Sequence, residues 1–373
     1  MKINNIRYAL LLPVLLAALC CLPAFAAQDT LAETADETGE ALFSLLDDET
    51  ASLVSAFGAD GFSPQEVFDV SWDAIGAFFS ETLGDALNRQ WRSFALSLSL
   101  LLLVACLRTL LHRDGSDAAF DLLSLCAVTT QTAASLHTFV SAAAATLQTA
   151  GTFMQGFIPV YAGLLAFSGH AGAALSYQTL SFALAQGISA FAARLCVPLL
   201  GLFFCLSIAF ACGDTVRAPS FLGAVNKGAA VLLGLFSGVF TGVLSVRQVL
   251  FRAADSAALK GARFLVSSLI PVVGGAMSDA YSAVLCSIDL IKGSAVVFAF
   301  LALLAVHLPV VLALLVSCLS CAALKTAAGL LNEDKLAALY LSFETGMRLL
   351  LLLNVFECFL LLITTGLTLQ LRQ

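Results

Sequence analysis

Apolar runs of membrane-spanning length recur along the chain, separated by short polar breaks. Phe94–Leu111 is the first clear run, with Arg89 and Arg92 before it and Arg108, His112 and Arg113 at its far end. Ala119–Leu147 is richer in Ala, Ser and Thr, which suits a span packed on other helices rather than on lipid. Leu175–Ala211 is long and interrupted by Arg194 and Pro198, so it reads as one kinked helix or as two short spans. Phe221–Leu250 is Gly-rich, Ala295–Leu324 contains His307 and Pro309, and Met347–Leu369 is the last run. A helix rising about 1.5 Å per residue needs about 20 apolar residues to cross hydrocarbon about 30 Å thick. The pattern predicts an all-α, polytopic membrane protein with about six to eight spans.

Two further segments precede these runs. Lys2 and Arg7, the apolar stretch Tyr8–Leu22 and the small-residue site Ala24-Phe25-Ala26 have the order of a signal peptide over residues 1–26. Residues 27–90 form a polar head. Within it Leu42, Phe43, Leu45, Leu46, Leu53, Val54 and Phe57 recur near helical spacing. Ser63-Pro64-Gln65-Glu66 has the residues of a helix start. Val67–Leu87 then places Phe68, Trp72, Ile75, Phe78, Phe79 and Leu83 on one face. That face can pack on the membrane, on a partner or on its own neighbours.

Composition supports the bilayer. Hydrophobic residues make up 60% and charged residues 12%, against about 45–50% and about 25% in soluble domains. Ala27–Asn88 holds 14 acidic residues and no Lys or Arg, whereas Arg89 onward holds 16 basic and 11 acidic. An exported head without Lys or Arg, and a cytoplasmic cluster of Arg247, Arg252, Lys260 and Arg263, agree with the positive-inside rule. Of 11 cysteines, Cys20 and Cys21 lie in the leader and the rest mostly in apolar stretches, so no disulfide framework is expected. Cys318-x-x-Cys321 has no second pair to complete a metal site.

The membrane domain, residues 91–373, contains two similar units at about 150–255 and 262–365. Phe157-Ile158-Pro159-Val160-Tyr161-Ala162-Gly163 aligns with Leu269-Ile270-Pro271-Val272-Val273-Gly274-Gly275. Cys196-Val197-Pro198-Leu199-Leu200 aligns with His307-Leu308-Pro309-Val310-Val311 at nearly the same offset. Proline removes a backbone donor, and in lipid each freed group needs a partner in protein or water. Ile-Pro-Val-x-x-Gly therefore predicts a broken or re-entrant helix, with Pro159, Gly163, Pro271, Gly274 and Gly275 lining or gating a path. Asp279 just beyond is either part of that path or a helix cap at the membrane edge. One span at Leu175–Ala211 makes the two units face the same way; two make them inverted.

Five further polar residues interrupt apolar runs: Arg194, His307, Glu344, Arg348 and Glu357. Charges there are expected to face protein or water, and Glu344 and Arg348 have ion-pair spacing. No P-loop, H-E-x-x-H or G-x-S-x-G motif occurs, and the four histidines are scattered. No catalytic residue, metal, cofactor or nucleic-acid partner is expected; the lipid bilayer is, and a homo-oligomer is left open.

Ala262-Arg263-Phe264, Ser267-Ser268-Leu269-Ile270-Pro271-Val272-Val273-Gly274-Gly275, Ser278-Asp279-Ala280 and Ile291-Lys292 resemble the signature of the stage III sporulation protein AE family. Tyr281-Ser282-Ala283-Val284 departs mildly from the polar or Thr-Val segment usual there, and the head matches only in character. The resemblance implies a non-enzymatic membrane component of the stage III A sporulation complex. Its place would be the mother-cell membrane around the forespore, with other membrane proteins of that complex and a forespore membrane protein as partners. Together they would form a channel or secretion-like assembly in endospore formation. A self-standing transporter with inverted repeats and a membrane scaffold are the alternatives.

Overall fold

The computed structural model describes residues 37–46, 48–56, 72–111, 117–168, 171–212, 221, 223–243, 245 and 274–366. Among these there is no β-strand. The leader, Ser63–Glu66, Phe68, the basic cluster at 247–263 and Pro271 lie outside them. The elements are α1 (37–43), α2 (Asp48–Ala56), α3 (Trp72–Leu111), α4 (Asp117–Phe167), α5 (Ala171–Ala190), a π-helical turn (Phe191–Cys196), α6 (Val197–Cys212), α7 (Gly223–Val243), α8 (Gly274–Leu330) and α9 (Asp334–Gly366).

Among the described residues six helices are long and apolar enough to cross a membrane: Ile75–Leu110, Phe120–Phe167, Tyr177–Ala209, Gly223–Val243, Ile288–Leu330 and Asp334–Gly366. Each contains or overlaps one apolar run of the sequence. The 21 residues of α7 make a rod about 31 Å long, the thickness of the hydrocarbon. The 51 residues of α4 and 57 of α8 give about 76 and 85 Å, so both outrun the bilayer. The amphipathic head helix and the first span are one continuous rod, α3. On it Phe78 is buried, while Phe79 on the same expected face is exposed.

Two apolar layers stack along the bundle. One joins the C-terminal half of α4 (Phe153, Phe157), α5 (Tyr177, Ile188), the start of α8 (Ala295, Phe298) and the end of α9 (Leu361). Leu42 and Val54 of the head are buried in this layer too. Phe43 meets Phe298 edge to face at 5.1 Å. Leu45 lies where a Cβ on Gly156 would stand, 2.2 Å from its Cδ2. The other layer joins α3 (Leu101, Val104), the first half of α4 (Leu125, Val128), α6 (Phe203, Phe204), the end of α8 (Leu314, Leu324) and the start of α9 (Tyr340, Phe343). The spans therefore alternate in direction, and the head sits at the end where α3 begins.

The α8–α9 hairpin is the tightest connection. Asn332 adopts the left-handed conformation with φ 56°. Its N–H donates to Gly329 O at 3.2 Å, and the Glu333 N–H donates to Ala328 O at 2.9 Å. This Schellman cap satisfies the last carbonyls of α8. Glu333 O then accepts from Ala337 N–H at 2.9 Å and opens α9. One stripe of α9 is buried at alternating steps of four and three: Leu336, Tyr340, Phe343, Met347, Leu350, Asn354, Glu357, Leu361 and Thr364, none more than 2% exposed. That spacing is the seam of closely packed antiparallel helices.

Pro159 corrects the expectation of a broken helix at the first Ile-Pro-Val copy; the second copy lies almost wholly outside the described residues. Helix α4 runs unbroken through Pro159, and α8 through Pro309. Pro159 sits on the exposed face of α4. The lost backbone bond is tolerated there without a break. Pro198 behaves differently. It follows the π-helical turn, in which the Val197 N–H reaches back to Ala192 O, and the wider turn makes room for a residue that has no N–H. Because α5, this turn and α6 form a single span, two spans among the described residues separate the Ile-Pro-Val copies. The two units thus face the same way. The copies also differ locally: the first lies in the last turns of α4, and the second ends where α8 starts at Gly274.

A Cβ on Gly346 of α9 would lie 2.1 Å from Phe204 Cε1 and 3.1 Å from Phe203 Cε1. Phe204 also packs on the Phe343 ring. Gly346→Leu should therefore cost about 1–3 kcal/mol by overpacking the α6–α9 contact. Gly201→Ala, where nothing lies within 4 Å, should change stability by less than about 0.5 kcal/mol. Thermal unfolding of both variants in detergent checks the pair.

Candidate functional site

The polar residues of the spans gather at four levels of the bundle. The first is an ion-pair network at the end opposite the head. Arg108, in the last turn of α3, pairs with Asp121 of α4. Its Nε also lies 3.0 Å from Glu333 Oε1 in the hairpin turn. Lys335 Nζ of α9 lies 3.1 Å from Asp121 Oδ2. Three ion pairs thereby tie α3, α4 and the α8–α9 hairpin together. Glu333 is 2% exposed. Burial pushes its carboxyl above the usual carboxylate range, Arg108 opposes the shift, and Asp121 and Asp334 add to it. Arg108 is therefore the charge that makes the acidic corner tolerable.

The second level is Glu344. Lys325 Nζ of α8 lies 2.5 Å from Glu344 Oε2, and Arg348 reaches back to Oε1. The i, i+4 pair is the one the spacing predicts, while Lys325 arrives across the hairpin. Arg348 and Arg194 both lie on the exposed side of their helices. A long stem lets a guanidinium lie along the bundle surface.

The third level is a hydroxyl-lined cavity of about 30 Å³ between α3, α4, α8 and α9. Its wall includes Ser93, Ser97, Thr132, Ser135, Ser317 and Tyr340. Ser93 Oγ and Ser135 Oγ are 3.1 Å apart. The Tyr340 hydroxyl is buried without a protein partner. A polar space of that size fits about one water. Cys321 lines it as well, and the Cys318 thiol donates to Glu344 O at 3.9 Å. The two cysteines thus serve as small side chains in helix contacts.

The fourth level holds Glu357 and His307. Glu357 is 1% exposed and accepts a hydrogen bond from Ser189 Oγ of α5 at 3.3 Å. His307 Nδ1 lies 2.9 Å from Leu303 O one turn back in α8.

Of the proposed path residues, Pro159 and Gly163 have described surroundings, and neither joins these levels. Pro159 is exposed, Gly163 has nothing within 4 Å, and neither lines the cavity. Gly274, Gly275 and Asp279 fall in the first two turns of α8, and Pro271 is outside the described residues. Sequence reasoning missed Lys325, Asp121, Glu333, Lys335, Ser189 and Asn354. The four-three spacing in α9 is the signal that marks Asn354 as a buried polar seam residue.

The family model for stage III sporulation protein AE matches residues 70–367. The chain belongs to the stage III sporulation protein AE family. The matched region begins just before α3 and ends just after α9, so the family's common part is the six-span bundle with its polar levels. A stage III sporulation protein AE of Bacillus subtilis (strain 168) is 27% identical over 160 residues, which are 43% of this chain and 40% of that relative. No solved structure matches. Membership carries a role in sporulation for a multi-pass membrane protein.

Removing Arg108 leaves Asp121 and Glu333 facing each other with only Lys335 nearby. Arg108→Ala should destabilise the bundle by about 2 kcal/mol at neutral pH, discounted because Arg108 is about one-third exposed. Glu333 binds its proton more readily in the fold than out of it. Its contribution is therefore full in acid and is lost as pH rises through its raised value. The Arg108→Ala deficit should accordingly shrink toward acid pH, as unfolding at a series of pH values checks.

Proposed function

We propose that this chain is a non-enzymatic, permease-like membrane component of the complex that joins mother cell and forespore during endospore formation. The observation that carries the reading is the family match across the whole bundle, residues 70–367. It would lie in the mother-cell membrane around the forespore, made with a cleaved signal peptide and with its acidic head outside the cytoplasm. Its partners would be the other membrane proteins of the stage III A complex and a forespore membrane protein. The head packs at the end of the bundle opposite the Arg108 network, which fits a cytoplasmic position for that network. Membership of a larger membrane assembly also fits α7, whose Gly234, Gly238 and Gly242 lie exposed at four-residue spacing with nothing within 4 Å. The same-way orientation of the two units favours this reading over a self-standing transporter with inverted repeats.

Two experiments test it. Gly238→Leu, introduced at the native locus of a spore-former, should lower spore yield and loosen co-purification with partner membrane proteins at unchanged protein level. Normal spore yield and normal co-purification would count against the reading. In a cysteine-depleted chain, Ser44→Cys should react with a membrane-impermeant thiol reagent added outside, and Lys335→Cys should not. The reverse pattern removes the exported head.

A further inference from the structure

The α8–α9 hairpin brings three polar atoms without protein partners to one level of the bundle. Lys325 pairs with Glu344, the Cys318 thiol reaches Glu344 O, and a Cβ on Gly366 would lie in van der Waals contact with Phe300 Cζ at 3.4 Å. This register sets His307 opposite the turn of α9 that carries Glu357. Asn354 lies one turn before Glu357 on the same seam. His307, Asn354 and Glu357 are 2%, 0% and 1% exposed. Each has one polar atom without a partner: His307 Nε2, Asn354 Oδ1 and Glu357 Oε2.

The chemistry of the three atoms is the same. The bond from His307 Nδ1 to Leu303 O requires the hydrogen on Nδ1, so Nε2 is a bare acceptor. Asn354 donates through Nδ2 to Leu350 O at 3.0 Å, which leaves Oδ1 as an acceptor. Glu357 Oε1 already accepts from Ser189, and Oε2 is an acceptor if the carboxyl is charged. Three acceptors and no donor make a site that lacks a hydrogen. Among the described residues no cation is ion-paired with Glu357. The cations Lys325 and Arg348 are taken by Glu344. Ser189 of α5 is the neutral group bonded to Glu357, the Cys358 thiol adjoins it on α9, and His307 stands across the hairpin on α8 with its bond to Leu303 O. An unpaired carboxylate among apolar helices is costly and readily accepts a proton instead.

We propose that Glu357, with Asn354, His307 and Ser189, forms an intramembrane proton-binding site. One proton from water adds to Glu357 Oε2, turning the carboxylate into a neutral acid whose O–H supplies the missing donor. Gly151 of α4 supports the arrangement, since a Cβ there would lie 2.5 Å from Ser189 Oγ. The π-helical turn begins two residues after Ser189 and packs against α9. The site therefore adjoins the one place where the helical ladder is widened. Loss of the proton would put a bare charge between α5 and α9, so occupancy of Glu357 is coupled to how these helices pack.

The test uses the full chain in lipid vesicles and dicyclohexylcarbodiimide, which modifies protonated carboxyls in apolar surroundings. Mass spectrometry should find the adduct on Glu357 at neutral pH, diminishing as pH rises, and not on the ion-paired Glu344. His307→Leu and Asn354→Leu should shift the pH at which labelling falls. Glu357→Gln should fold as the parent does, because the amide is isosteric with the neutral acid. Its infrared difference spectrum should lack the carbonyl band of one protonated carboxyl. Absence of that band from the parent overturns the proposal, whatever the reagent's access. Suppression of labelling by sodium at fixed pH also overturns it, in favour of a sodium site.

Discussion

Inside hydrocarbon no backbone or side-chain polar group can turn to water, and the α8–α9 hairpin is where this chain meets that constraint most fully. A tight turn between two apolar helices exposes the last carbonyls of one and the first N–H groups of the other. Asn332 in the left-handed region and the Glu333 and Ala337 bonds close that gap within a few residues. The close approach they allow creates the buried seam of α9. That seam in turn gives α4, α5 and α6 a surface to pack on, through Gly346 against Phe204 and Ser189 against Glu357.

Charge is spent sparingly and in fixed places. The largest network ties the helix ends together at the turn, where Arg108 and Lys335 hold Asp121 and Glu333. Pairs of that kind contribute little on a free surface, but removing one partner here leaves a carboxylate buried. Glu344 answers the same need within the span by taking both Lys325 and Arg348. Glu357 is the exception, since its interhelical bond comes from a neutral hydroxyl. Family membership places all of these groups inside the shared region, whereas the head helices that pack on Gly156 and Phe298 lie before it.

Much of this architecture was legible in advance. Each apolar run became a span, because length and hydropathy are local properties that the bilayer reads directly. The Glu344–Arg348 pair followed from helical spacing alone. The first Ile-Pro-Val segment was misread for a reason of the same physics. Proline removes one hydrogen bond, and whether the helix then breaks depends on what surrounds it. Pro159 faces outward and α4 continues, whereas Pro198 is accommodated by a π-helical turn that no residue pattern announces.

By itself the sequence determined the fold class, the order of the spans, the acidic composition of the head and the family. These rest on composition and on periodicity within one segment. Only the tertiary structure decided which residues meet across segments: Lys325 with Glu344, Arg108 with Glu333, Ser189 with Glu357, and His307 level with Asn354. Such meetings depend on the register between helices, which is set by a capped turn and by the close approach that small residues allow. No single segment contains that register, so the polar levels of the bundle became visible only when the helices were placed side by side.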